Sequence, residues 1–356
     1  MKRLVQILVT LVVIFGIYLV VNITYGTITD FQPPEKMTLQ VNNPSTRHIS
    51  DTILTLLIWN IGYGGLGDEE DFFYDEGSMV RPDKDRLERN LSGIYKTINQ
   101  NSSIDFVLLQ EVDTFSKRSR YNNELTAIAS QLPEYEYCYA TNYSVKFNPA
   151  PFHRFPTQAM GKIEAGLATY SKYKSTENTR YQFPGNYSWP TRIYFLDRCF
   201  LLQRFPLQNG KNLVIINTHN SAYDDDGKLK SQQMDYLKEI LISEYEKGNY
   251  VIVGGDWNQT PPGFDNMTFA NKKGITEKYD QLPISMDYIP GWLWVYDPTI
   301  PSNRKLNMAY DADKSFTTLI DFYLVSPNIH IMNVNTLDMG FAYSDHQAVK
   351  LTIKIP

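Results

Sequence analysis

The chain has 356 residues, 42% hydrophobic and 21% charged, enough apolar material for a large core and too much for a disordered polymer. Its formal net charge is -5, so no global positive field draws it to nucleic acid or to anionic lipid. Two cysteines, Cys138 and Cys199, exclude a disulfide framework, and their spacing leaves open whether they pair.

In chain order, the first signal is apolar. Lys2 and Arg3 precede LVQILVTLVVIFGIYLVV, residues 4–21, in which Gln6 and Thr10 are the polar interruptions. As a helix this stretch is about 27 Å long, close to a bilayer's hydrocarbon thickness. The apolar run is long for a signal peptide, and NITYG stands after it in place of a small-residue cleavage site. Residues 1–22 are therefore expected to form a transmembrane anchor, with a cleaved signal segment and secretion as the alternative. The two basic residues before the span place the rest of the chain outside the cytoplasm, tethered to the cell membrane. Residues 23–50 contain Pro33, Pro34 and Pro44 and show no periodicity, which predicts an extracytoplasmic stalk. Residues 51–356 are predicted to be one catalytic domain, since no later stretch has linker composition and no repeat stands out.

Within that domain ILTLLIW (53–59) predicts a strand, and NIGYGGLGDEEDFFYDEG predicts a glycine-rich acidic loop. Residues 84–100 predict a helix with Leu87, Leu91, Ile94 and Ile98 on one face, with the strand IDFVLLQ (104–110) after it. The same order recurs as NLVIINT (212–218), a helix over 229–245 and YVIVGG (250–255). LIDFYLVS (319–326) and HQAVKLTI (346–353) close the chain. Apolar runs near 53, 104, 213 and 250 suggest strands buried on both faces, while 194–204 and 346–353 suggest antiparallel or edge strands. Ten to twelve strands are unwieldy as one sheet, so two packed sheets with helices outside are expected.

Chemistry-bearing residues sit where the apolar runs end: Asn60, Glu111, His219, Asp256 with Asn258, and Asp345 with His346; Asp321 lies inside a run. Three carboxylates and two amides form an oxygen-donor set that suits Mg²⁺ or Mn²⁺ better than zinc. Two histidines remain for acid–base work or phosphate contacts. A metal, a positioned water and an imidazole suffice for hydrolysis of a phosphate ester. No G-x-S-x-G occurs, and neither cysteine has a visible catalytic partner.

The succession WN, LLQEVD, NTH, GGDWN, IDFYLVS and SDH, with GLATYSK at 166–172, resembles the endonuclease/exonuclease/phosphatase superfamily over about Thr52 to Ile355. This group contains deoxyribonuclease-I-like and sphingomyelinase-like enzymes. The resemblance implies a four-layer α/β sandwich of two packed mixed, mainly antiparallel sheets, with the site on their rim. It implies that Glu111 is the principal metal ligand, with Asn60 and Asp345 as further ligands or organisers of metal-bound water. It makes Asp256 and Asn258 orient the phosphate and the water, His346 with Asp321 the catalytic pair, and His219 a phosphoryl contact.

Substrate recognition is less legible. Rim loops are expected at 148–162 and 291–311, carrying Phe152, His153, Arg154, Phe155, Trp292, Trp294, Tyr296, Arg304, Lys305 and Tyr310. Of these, Arg154, Trp292 and Arg304 are the candidate substrate contacts, suited to a base, a sugar or a lipid headgroup. Acids at 68–76 would repel a polyanion, and basic residues come only in short pairs such as Lys117–Arg118. The substrate is therefore expected to be a small phosphoester or a lipid headgroup, with DNA or RNA as the alternative.

Overall fold

The computed structural model describes residues 1–151, 154, 158–224, 226–276 and 282–356. In chain order the helices are α1 (Lys2–Ile28), α2 (Lys84–Gln100), α3 (Glu124–Gln131), α4 (Lys228–Glu246) and α5 (Thr268–Lys272). The first strands are β1 (Lys36–Thr38), β2 (Ile53–Asn60), β3 (Phe106–Asp113), β4 (Glu136–Asn148), β5 (Gly161–Ser171) and β6 (Glu177–Gln182). They continue with β7 (Cys199–Pro206), β8 (Asn212–His219), β9 (Tyr250–Asp256), β10 (Leu293–Val295) and β11 (Asn303–Arg304). The last are β12 (Thr317–Thr318), β13 (Asp321–Val325), β14 (His330–Thr336) and β15 (Val349–Lys354).

The main strands form two mixed sheets, ordered β1-β6-β7-β8-β9-β13-β10 and β14-β15-β2-β3-β5-β4. Each contains one parallel pair joined through a helix: β2 and β3 through α2, β8 and β9 through α4. The sheets meet face to face. Leu54, Leu56, Ile58 and Leu351 of one pack on Leu213, Ile215, Ile252 and Val325 of the other. Each fully buried aliphatic side chain contributes about 1.5–3 kcal/mol relative to exposure. The outer face of the first sheet is covered by Met234, Leu237 and Leu241 of α4, that of the second by Leu87, Leu91, Ile94 and Ile98 of α2. The layers are thus α–β–β–α, as the buried apolar runs and helix spacings predict. Asp83 caps α2, its carboxylate accepting from Arg86 N at 2.9 Å.

The fifteen strands among the described residues exceed the expected number because three are only two or three residues long at the rim and one lies at the N-terminal edge. The stretch expected at 194–204 is antiparallel but interior: β7 pairs with β6 and β8. Both cysteines are free, buried thiols, and burial pushes Cys138 up to about 12 and Cys199 up to about 11.

Residues 23–50 are not a free stalk. The α1 helix runs on to Ile28, with a best-window mean hydropathy of 2.8. Lys36–Thr38 then add an antiparallel strand to the edge of β6. Asn42 bridges to Tyr137 of β4, and Asn43 Nδ2 donates to the carbonyls of Pro133 and Tyr135 at 3.0 and 2.9 Å. The segment straps the edges of both sheets, because each edge offers unpaired backbone groups that an extended chain can satisfy.

The parallel β8–β9 pair approaches closely where Thr218 faces Gly255. Gly255 has φ +148°, and a Cβ there would sit 2.1 Å from the Thr218 carbonyl oxygen. Gly255→Ala is expected to cost about 3 kcal/mol in urea unfolding. An unchanged midpoint would show that the two strands can part locally at no cost.

Candidate active site

The strand register builds the site. His219, Asp256 and Asp321 are direct cross-strand partners on β8, β9 and β13, so their Cα atoms form one row. Asn60 ends β2 in the facing sheet. Glu111 lies where β3 and β5 shift register, with φ +54°. An L residue held at positive φ is strained, and this bulge re-aims the carboxylate towards the rim. Asp345 and His346 come from the loop before β15; His346 bridges to Asn303, and Arg304 N donates to Asp345 O at 3.0 Å.

These side chains line one cavity of about 130 Å³, with the exception of Asn60 and Asp321, which support it from behind. His346 Nδ1 donates to Asp321 Oδ2 at 2.8 Å, and Ser302 Oγ donates to the same oxygen at 2.8 Å. His346 Nε2 lies 3.1 Å from Asn303 Nδ2, 3.7 Å from Asp345 Oδ2 and 3.8 Å from Asp256 Oδ2. Burial opposes charge on this imidazole, but Asp321, Asp345 and Asp256 outweigh it and raise its pKa well above the ordinary histidine value. His219 is the reverse case. Burial, reinforced by Arg198, drives it well below the ordinary value, so it stays neutral. Its Nε2 is 3.5 Å from Asp256 Oδ2. Two histidines pushed apart by their surroundings suit two different tasks.

Asn60 presents its NH₂ to the carboxylates. Its Oδ1 accepts from Gly62 N at 3.0 Å, while Nδ2 donates to Asp256 Oδ2 at 3.0 Å and reaches Glu111 Oε1 at 3.5 Å. With its carbonyl committed to Gly62, Asn60 brackets two acids. Asp256 Oδ1 accepts from Asn258 N at 2.9 Å, and Asn258 Nδ2 donates to Asn220 O at 3.0 Å.

The donor set fits a hard divalent cation. Burial, then the charge of Glu111, pushes Asp345 up to about 7 against the pull of His346, and a cation held between these acids would offset both. Asp256, Asp321 and His346 can each offer a ligand atom within 4.8 Å of the others. Asp321 Oδ2 is already engaged by His346 and Ser302. Glu111 and Asp345 carry the fit to the metal.

Arg154, Trp292 and Arg304 do not converge on the cavity. Arg154 donates to Ser78 O and, at 3.2 Å, to Gln158 Oε1, in a separate surface depression. Trp292 is buried edge-on against Tyr245 of α4, ring centres 5.8 Å apart, because its apolar area is better placed in the core. Arg304 is buried and donates through its two terminal nitrogens to the carbonyls of Gly67, Glu70 and Met308 at 2.5, 2.9 and 3.1 Å. Its fork ties two loops together and is not offered to the cavity. Phe152, His153 and Phe155 lie outside the described residues.

The acidic loop is also different from its sequence. Arg89 binds Asp68 and Glu69 at 2.5 and 2.7 Å, Asp71 accepts from Ser78 N at 2.8 Å, and Lys305 pairs with Glu76 at 2.9 Å. Partly neutralised by Arg89 and Lys305, these acids repel a polyanion less than their sequence suggests. The Lys117–Arg118 pair is no surface patch either. Arg118 is buried, forked onto Asp113 at 2.9 and 3.1 Å, 3.8 Å from Glu111 Oε2 and stacked 3.6 Å from the Tyr63 ring centre. Sequence reasoning missed it as a cavity residue; the signal available was Asp113, a second acid two residues after Glu111 that needs a partner if buried.

A four-layer sandwich that gathers carboxylates and a His–Asp pair on the common rim of its two sheets is the architecture of a metal-dependent phosphoesterase. The sequence pattern of the Endonuclease/Exonuclease/phosphatase family matches residues 57–346, and the chain belongs to that family. No curated protein matches the chain by sequence. Among solved structures it is similar in fold to an endonuclease/exonuclease/phosphatase from Beutenbergia cavernae, at 14% identity and TM-score 0.54, over 86% of this chain and 72% of that one. It is similar to D. rerio TDP2 complexed with single strand DNA product, at 14% identity and TM-score 0.53, over 85% and 100%. It is also similar to ANGEL2, a 2',3'-cyclic phosphatase, at 14% identity and TM-score 0.54, over 90% and 98%.

Proposed function

We propose that this protein hydrolyses a phosphate ester inserted end-on into the rim cavity, using Mg²⁺ or Mn²⁺. The observation that carries this reading is the His346–Asp321 hydrogen bond of 2.8 Å, with His346 Nε2 facing Asp256 beside Glu111 and Asp345. A cation held by Glu111 and Asp345 would supply Lewis-acid stabilisation of charge on the phosphoryl oxygens. Asp256, bracketed by Asn60 and Asn258, orients the attacking water. With a bound cation offsetting the charge of Asp345, His346 would accept the water's proton at Nε2, Asp321 fixing the ring tautomer, while the ester P–O bond breaks and the leaving oxygen takes a proton from His346 or solvent. Neutral His219 contacts the phosphoryl group without adding charge, and Asn258 orients a non-bridging oxygen.

Two substrate readings remain: a small phosphoester or lipid headgroup, which rests on the cavity alone, and an end of a DNA or RNA strand, which the solved structures of similar fold favour. A cavity of about 130 Å³ walled by Tyr63, Tyr143, Tyr187 and Phe195 suits a single end group and not the middle of a duplex. The second reading, an end of a DNA or RNA strand, is favoured by the partly neutralised acidic loop and by the fold's occurrence in a protein bound to single strand DNA product. Turnover of a panel separates them: bis-aryl phosphate, sphingomyelin, phosphatidylinositol phosphates, single-stranded and duplex DNA, and RNA, each with and without chelator. Activity is expected to vanish in chelator; chelator-resistant turnover would refute the metal reading. Preference for duplex DNA by more than about 100-fold, with steep salt dependence, would reject end-on entry.

We also propose that α1 spans a membrane and holds the domain against it, outside the cytoplasm because Lys2 and Arg3 precede the span. The last turns of α1 sit on the loop before β7: Trp189 Nε1 donates to Thr27 Oγ1 at 3.0 Å, Arg192 lies 3.7 Å from Asp30, and Gly26 is buried by Ile193. Tyr187, Phe195 and Leu196 of this loop also wall the cavity. Protease added to intact cells is expected to degrade the domain. Full protection, while an external marker is cut, would reject the topology.

A further inference from the structure

The cavity wall holds three buried side-chain donors without a hydrogen-bond partner among the described residues: Arg198 Nη1, Asn142 Nδ2 and Tyr63 Oη. Burying such donors unpaired costs free energy, so a wall that collects them is built for something that arrives. Two are neighbours. Asn142 is the extra residue where β4 shifts register against β5, and its carbonyl accepts from Asp197 N, next to Arg198, at 2.8 Å. A bulge of this kind turns a side chain out of the strand's alternation. Arg198 differs from Arg118, the other guanidinium of the cavity. Arg118 is forked onto Asp113, whereas Arg198 feels the charges of Glu111 and Asp256 without a described carboxylate close enough to form an ion pair with it. The proton-handling residues and the carboxylates fitted to the metal lie on the β2, β3, β8, β9 and β13 ends and the loop before β15. Arg198 and Asn142 come instead from the β4 and β7 side.

We propose that Arg198 and Asn142 form an anion-binding subsite, which takes a second acidic group of the substrate, a phosphate or a carboxylate, beside the ester being hydrolysed. This rests on the phosphoesterase reading of the cavity and narrows it. The substrate carries at least two anionic groups, as a multiply phosphorylated small molecule or a strand end with its next phosphate does, and is not a headgroup whose far end is cationic. Guanidinium and amide N–H groups are donors that match the oxygens of phosphate or carboxylate.

The test is binding, which needs no turnover. Full-length protein in detergent is titrated with phosphonoacetate, 3-phosphonopropionate and 4-phosphonobutyrate, each against the alkylphosphonate lacking the carboxylate. One spacer length is expected to bind about 30-fold more tightly than its alkyl counterpart, the scale of hydrogen bonds to a charged group. Arg198→Met is expected to abolish that gain, Asn142→Ala to reduce it and Arg198→Lys to retain part of it. Thermal unfolding of Arg198→Met checks that it is folded; loss of a guanidinium with an unpaired buried nitrogen should not lower its midpoint. No gain at any spacer length, a gain that survives Arg198→Met, or equal weakening of both ligand series would each overturn the subsite. Absence of hydrolysis across the substrate panel, with the selective gain intact, would sink the reaction and leave the subsite standing.

Discussion

His346→Ala is expected to lower kcat by about 10³-fold while KM changes little, because general acid–base catalysis by a placed imidazole contributes on that order. Of the two imidazoles that line the cavity, His346 is the one whose surroundings favour the proton: three carboxylates lie around it, and Asp321, pinned by Ser302, accepts from its Nδ1. Asp321→Asn should cost nearly as much, since an amide at that position can leave the wrong ring nitrogen protonated. The double variant should be no slower than His346→Ala alone, because Asp321 acts through the ring. Steady-state kinetics on a bis-aryl phosphate with saturating Mg²⁺ provides the check. A double variant whose loss equals the product of the two single losses would break the coupling. A rise in KM with kcat intact would move His346 from proton handling to substrate binding.

Glu111→Gln is expected to reduce activity at least about 100-fold and to weaken Mg²⁺ binding, since an all-oxygen site loses one of its few anionic ligands. The change is close to isosteric, so the bulge at φ +54° should persist. It also leaves Arg118, 3.8 Å away, with Asp113 as its neutralising partner. Calorimetric titration of metal beside kinetics at rising Mg²⁺ separates two outcomes. Recovery at high metal means that binding alone was weakened; a persistent deficit means that the carboxylate also shapes the reacting geometry. Wild-type turnover, equal in metal and in chelator, would remove Glu111 from the site.

Much of this architecture can be read from the chain, and the reasons are local. Apolar runs of strand length, helices with Leu87, Leu91, Ile94 and Ile98 on one stripe, and a polar residue closing each run all come from side-chain periodicity. So does the crowding of Asn60, Glu111, His219, Asp256 and Asp345 at strand ends, where a rigid sheet holds groups at its rim. What periodicity cannot carry is which distant segment neutralises or buries which side chain. Arg304 reads as a rim cation, yet the carbonyls of Gly67 and Glu70, more than two hundred residues away, accept from its guanidinium. Trp292 reads as a platform and is core, because α4 supplies Tyr245 beside it. The acids at 68–76 read as a repulsive loop until Arg89 and Lys305 pair with them. Residues 36–45 read as a stalk because a short polar strand has no signature apart from the edges it pairs with. Local pattern thus determines the elements and the types of group at their ends. Partners for charge and exposed backbone come from segments far apart in sequence, so the fate of each cation, and with it the unpaired donors of Arg198 and Asn142, is decided only when the two sheets close on each other.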